Sequence, residues 1–79
     1  MKKYRIIDKG KSLIIAIIGI NVIERNNEKF KFSMLFQLNN NFDSFGNIDE
    51  LNKKDSDIID ELLMKSGLDK DKITLEEIN

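Results

Sequence analysis

The spacing of apolar side chains predicts β-strands in the first half of the chain. From Lys29 to Leu38 the residues alternate, one set being aromatic or apolar and the other mostly polar. A period of two places the two sets on opposite faces of a strand. We therefore predict a third strand whose core-facing set is Phe30, Phe32, Met34 and Phe36.

The segment from Ser12 to Glu24 is apolar at successive rather than alternate positions, and its branched Ile and Val residues favour a strand. A strand that is apolar on both faces must be covered on both. One helix covers only one face of a sheet, so we predict a self-association face. Homodimerisation is the simplest expected cover, and a permanent partner protein is the next. The predicted face comprises Leu13, Ile15, Ile17 and Leu35.

The rest of the chain completes an α+β prediction: a small antiparallel three-stranded β-meander, packed on one face by a C-terminal helix. The meander covers 1–38, a loop 39–47, a helical region 48–67 and a tail or short strand 68–79. Asn47 and Glu50 have capping-box spacing, and Gly67 suits the left-handed position after a helix. The sequence does not decide whether the helical region is one helix or two, or whether the tail forms a fourth strand. Besides the third strand, the predicted core contains Ile14, Ile18, Ile58, Ile59, Leu62 and Leu63.

Composition narrows the chemistry. The 79 residues suit a single domain (1–79), and they include no Cys and no His. Thiol nucleophiles, histidine bases, disulfides and most transition-metal sites are thereby excluded. We predict no catalytic residue, no cofactor and no metal, and hence a protein that is not an enzyme.

The longest apolar run does not predict a membrane segment. It extends from Leu13 to Ile23, about half the length needed to span a bilayer, and no small-residue cleavage site follows it. The sequence therefore predicts a cytoplasmic protein without a membrane partner.

Charge is divided unevenly along the chain. Residues 1–40 carry eight basic and three acidic side chains, whereas residues 41–79 carry five and eleven. A row of carboxylates on the helical region would complement a basic groove, such as that of a nucleic-acid-processing enzyme. The predicted partner-binding carboxylates are Asp49, Glu50, Asp57, Asp60 and Glu61.

The basic first half supports an alternative, a sheet face that binds nucleic acid. Its candidate residues are Arg5, Lys11, Lys29 and Lys31. Single-strand binding also needs exposed aromatic rings on which bases stack. Because the phenylalanines are expected in the core, direct nucleic-acid binding is the less favoured interpretation.

These observations predict a non-enzymatic protein–protein interaction module. The small size and the acidic helix are typical of an inhibitor of a bacterial protein from a phage or mobile element, of the anti-CRISPR or toxin-neutralising type. The alternatives are the nucleic-acid-binding sheet and a structural homodimer subunit.

Overall fold

The computed structural model describes residues 1–38 and 44–78, which form a five-stranded antiparallel sheet with one α-helix packed against one face. A short 3₁₀ turn, Lys70–Lys72, precedes the last strand. In chain order the elements are β1 (Lys2–Asp8), β2 (Leu13–Arg25), β3 (Glu28–Gln37), β4 (Ser44–Glu50), α1 (Asp55–Lys65) and β5 (Ile73–Ile78). Across the sheet their order is β4–β3–β2–β1–β5.

A long hairpin of β2 and β3 forms the centre of the sheet. Asn26 and Asn27 join the two strands with φ values of 52° and 64°. Left-handed geometry at both central residues is the form of two-residue turn that matches the twist of a hairpin. This turn places Arg25 opposite Glu28 and thereby sets the register of every later pair.

The helix α1 buries one apolar stripe and ends as its sequence predicts. Ile58, Ile59, Leu62 and Leu63 are buried beneath it. At its end Gly67 has φ 74°, the Leu68 amide donates to the Leu63 carbonyl at 3.0 Å, and the Gly67 amide donates to the Met64 carbonyl at 3.2 Å. These bonds define a Schellman motif and satisfy the last carbonyls of the helix.

The core lies between α1 and one face of the sheet; Phe45 of β4 packs against it, but the phenylalanines of β3 lie outside it. The prediction that Phe30, Phe32, Met34 and Phe36 enter the core was wrong, and so was the prediction for Ile14, which is exposed. The predicted Ile18 and the four helix residues are confirmed. The buried apolar residues are Ile6, Ala16, Ile18, Ile20, Leu35, Ile58, Ile59, Leu62, Leu63 and Ile73.

The register explains why the phenylalanines are excluded. Leu35 lies opposite Ile18, on the fully apolar face of β2, and α1 packs on that face. Phe32 and Met34 instead lie opposite Asn21 and Gly19. The Asn21 and Gly19 face of β2 offers less apolar surface for a helix to bury.

A fourth strand replaces part of the predicted loop and helical region. Ser44–Glu50 pairs with β3, and α1 begins only at Asp55, so the boundaries 39–47 and 48–67 were wrong where the chain is described. Residues 39–43 of the predicted loop, and Asn79, lie outside the described residues. The tail forms the short strand β5, which pairs with β1.

Ser33 is a polar residue within the apolar core. It is fully buried, and the described residues give its hydroxyl no hydrogen-bond partner. An unpaired buried hydroxyl destabilises the folded state. We therefore expect Ser33→Ala to raise the free energy of unfolding by about 1 kcal/mol, measured by urea denaturation. A loss of stability would contradict this account.

Candidate functional site

The sheet face opposite α1 has no covering element among the described residues, and it carries most of the aromatic side chains. We call it the aromatic face. Phe36 and Ile48 on this face are 49% and 52% exposed. The face is defined by Phe30, Phe32, Met34 and Phe36 of β3, Ile17 of β2 and Ile48 of β4.

Two glycines make the aromatic face uneven. Gly19 and Gly46 flank Met34 on either side in the same cross-strand row. The Phe32 ring lies close to Gly46, where a β-carbon would stand 3.8 Å from the ring. A hollow of about 620 Å³ lies over Gly19, and its walls include Ile17, Phe32 and Phe36.

The part of the aromatic face that β1 forms, next to the edge strand β5, is charged. Lys3 and Arg5 line the hollow, and the Arg5 guanidinium donates to the Glu76 carboxylate at 2.8 Å. The face therefore combines an apolar centre with a polar margin, which is the composition of a protein-binding surface.

The predicted self-association residues do not lie together. Ile17 belongs to the aromatic face, and Leu13 is exposed at the start of β2. Leu35 is fully buried beneath α1, so the prediction that it is free for association was wrong. Ile15 packs against the core rather than away from it, because the register shifts beside Ile6.

The predicted nucleic-acid residues are also separated. Arg5 is on the aromatic face, whereas Lys31 lies on the α1 side and donates to Asp55 at 2.8 Å. Lys29 shares the side of Lys31 by strand alternation, and Lys11 is in the β1–β2 turn. Lys3, which is not one of the four predicted residues, lies on the same face as Arg5 by the alternation of β1.

The predicted acidic row is a network of ion pairs rather than a free surface. The Lys53 ammonium donates to Glu61 at 2.7 Å and to Asp49 at 3.0 Å, and these bonds raise the pKa of Lys53. Lys53 in turn holds the pKa of Glu61 below its ordinary value. Asp60 accepts from Lys70 at 2.9 Å.

The other two predicted carboxylates are apart from this network. Asp57 is in the first turn of α1. Glu50 lies opposite Phe30, on the aromatic face. The five carboxylates therefore do not share one surface, because β4 is a strand rather than the start of the helix.

A second hollow of about 430 Å³ separates α1 from the β5 edge of the sheet. Tyr4 and Leu75 form its floor, and Ile59 and Leu63 form the helix wall. Burial, together with the nearby Glu77 carboxylate, raises the pKa of Tyr4. This hollow is smaller than the one on the aromatic face and is bordered by residues already engaged in ion pairs, such as Asp60.

In residues 1–38 and 44–78, no group of three or more His, Cys, Asp or Glu side chains is placed to hold a metal ion. No helix in the described part of the chain is long and apolar enough to cross a membrane. No protein-family model, curated protein or solved structure matches the chain.

Proposed function

We propose that this protein acts by binding another protein through the aromatic face, without catalysing a reaction. The observation that carries the proposal is the set of large apolar side chains on a sheet face that no described element covers. Contiguous exposed apolar surface on a small protein marks an interaction site. Aromatic residues and Met are also the types enriched where proteins meet.

The geometry favours the aromatic face over the acidic helix as the binding surface. Three of the five predicted carboxylates are engaged by lysines of the same chain. A partner's basic groove would have to displace those lysines. The aromatic face needs no such exchange, because burying its apolar side chains is itself favourable.

The proposal predicts that Phe36→Asp abolishes partner capture. A tagged chain would be co-expressed with an untagged copy in a bacterial host and recovered after nuclease treatment. Proteins bound in stoichiometric amounts, the untagged copy included, would be identified by mass spectrometry. We expect Phe36→Asp to lose at least about tenfold of the bound protein, because a charge would be buried in an apolar contact.

The matched control is Val22→Asp. Val22 is 51% exposed, close to the value for Phe36, but it lies on the α1 side of the sheet. Capture by Val22→Asp should equal that of the unaltered chain. Equal capture by Phe36→Asp and the unaltered chain would contradict the proposal, and so would an empty eluate from the unaltered chain.

A second candidate, binding of single-stranded nucleic acid, is favoured by one specific observation. Phe32 and Phe36 share an uncovered face with Lys3 and Arg5, which is the combination that stacks bases and contacts phosphates. The Glu76 partner of Arg5 and the Glu50 carboxylate on the same face oppose it. Recovery of nucleic acid alone, lost on nuclease treatment, would favour this candidate.

The narrower prediction of an inhibitor of the anti-CRISPR or toxin-neutralising type stays a prediction. It is compatible with the proposal, because a protein that binds through one face can block its partner by covering it.

A further inference from the structure

We infer that the occupant of the aromatic face is a second copy of this chain, packed face to face about a two-fold axis that runs parallel to the strands between β2 and β3. This inference depends on the proposed function and names the partner. Such an axis exchanges β2 with β3 and β1 with β4. Each residue that these four strands place on the face then meets a residue from the same cross-strand row of the other copy, and β5 extends past β4 of the other copy.

The rows of the sheet are self-complementary under this operation. One row reads Lys3, Gly19, Met34, Gly46 from β1 to β4. The axis sets Met34 of one copy over Gly19 of the other, and Lys3 over Gly46. Met34 thus enters the hollow over Gly19, where it would displace only the flexible Met1 side chain, and such interdigitation is how layers pack.

In the two neighbouring rows, too, the axis sets a longer side chain over a shorter one. In one of them the axis sets Phe36 over Ile17 and Arg5 over Ser44. In the other it sets Phe32 over Asn21. Every one of these pairs joins a longer side chain to a shorter one. A second copy packed about this axis requires longer and shorter side chains to alternate between β2 and β3 within each row. A partner of unrelated sequence would not require that alternation.

The area of the face also suits a dimer. The four strands that overlap across this axis, β1 to β4, are about 4.8 Å apart and overlap for about seven residues of 3.3 Å each, which gives a projected area of about 440 Å² per copy. The two copies together would bury about 890 Å² in projection, which is above the roughly 800 Å² of most crystal contacts and near the roughly 1,000 Å² of a specific interface, the size expected of a weak, concentration-dependent dimer. The hollow of about 620 Å³ would be filled by side chains of the other copy.

The first test is the molar mass of the purified full chain, measured by light scattering over a range of concentrations. We expect twice the chain mass of 9.2 kDa. Gly19→Leu should convert this species to single chains, because the added side chain would collide with Met34 of the other copy. Within one copy a β-carbon at Gly19 meets only the flexible Met1 sulfur, at 3.5 Å, and the hollow over Gly19 offers space for the rest of the side chain.

The matched control for this test is Lys29→Leu. Lys29 is an exposed strand position, and it lies on the α1 side of the sheet. Lys29→Leu should keep the doubled mass. Circular dichroism of both variants would verify that the fold is retained.

The second test locates the axis by cross-linking. The chain contains no cysteine, so introduced thiols are unique. Chains carrying Lys3→Cys and chains carrying Gly46→Cys would be mixed and treated with a bismaleimide that spans about 10 Å, the spacing of packed sheets. The mixed pair should cross-link at least about tenfold more than either variant alone, because two copies of Lys3→Cys stand about 17 Å apart across the axis.

Three results would overturn the inference: single chains at every concentration, a dimer unaffected by Gly19→Leu, or equal cross-linking of the mixed and unmixed thiols. The second would indicate pairing through the β4 or β5 edges. Single chains that still capture a different protein in a Phe36-dependent manner would leave the proposed function standing and assign the face to that protein. Single chains that capture nothing would overturn both.

Discussion

Replacing Leu35 by alanine is expected to lower the free energy of unfolding by about 2–5 kcal/mol, the range for fully buried leucines. Leu35 is 0% exposed and lies between Ile18 and Phe45 on the α1 side of the sheet. The loss combines the transfer of the side chain with the cavity that it leaves. Since small domains are stable by only about 5–15 kcal/mol, urea denaturation will detect the change readily.

The adjacent residue provides the control. Phe36→Ala removes a larger side chain, but that side chain is 49% exposed on the aromatic face. We expect a loss of about 1 kcal/mol in dilute solution, where self-association contributes least. A larger loss from Phe36→Ala than from Leu35→Ala would mean that the phenylalanine side of β3 forms the core.

The second large effect is expected at Asp55. Its carboxylate accepts from Lys31 at 2.8 Å and from Lys2 at 3.1 Å, and the Lys31 and Asp55 side chains are only 18% and 22% exposed. Asp55→Asn would leave the Lys31 ammonium half-buried without its counter-ion. Hydrogen bonds to charged groups contribute about 1.5–3 kcal/mol, and we expect a loss of that order at pH 7.

The contribution of Asp55 to the free energy of unfolding should depend on pH. The hydrogen bond from Lys31, chiefly, holds the pKa of Asp55 below its ordinary value of 3.8. The carboxylate therefore contributes its full stability above about pH 4 and loses it as the pH falls through the lower folded-state pKa. The difference in the free energy of unfolding between the unaltered chain and Asp55→Asn should shrink over that acidic range.

Asp60→Asn is the matched control for Asp55. Asp60 pairs with Lys70 at a similar distance of 2.9 Å, but both side chains are largely exposed. Exposed ion pairs contribute only about 0–1 kcal/mol. Equal losses from Asp55→Asn and Asp60→Asn would show that burial of the Lys31 pair has no energetic consequence.

The alternation of β3 could be predicted from sequence, but which of its two faces enters the core could not be predicted from β3 alone. The phenylalanines are the more apolar set of β3 taken by itself. Which face is buried depends on the neighbouring strand β2 as well, because the turn at Asn26 and Asn27 sets Phe32 against Asn21 and Met34 against Gly19. Applying that two-residue turn to the sequence would have identified the aromatic face.

Short sequence motifs predicted those features of the structure that depend only on residues close together in the chain. The Schellman ending, predicted from Gly67, depends on a few neighbouring residues. The strand β4 was missed for the opposite reason. Ile48 and Leu51 have helical spacing with the later leucines, and only pairing with the distant β3 makes Ser44–Glu50 a strand. Tertiary pairing of this kind overrides local preference.

The pairing of β1 with β5 has a consequence for the order in which the protein folds. Ile6 lies opposite Leu75, so the paired strands β1 and β5 are separated by almost the whole sequence given. Closing so long a loop costs more entropy than closing either hairpin, and such contacts form slowly. During synthesis the backbone amides on the outer edge of β1 therefore stay unpaired until β5 has left the ribosome. That interval is when the chain is most exposed to aggregation.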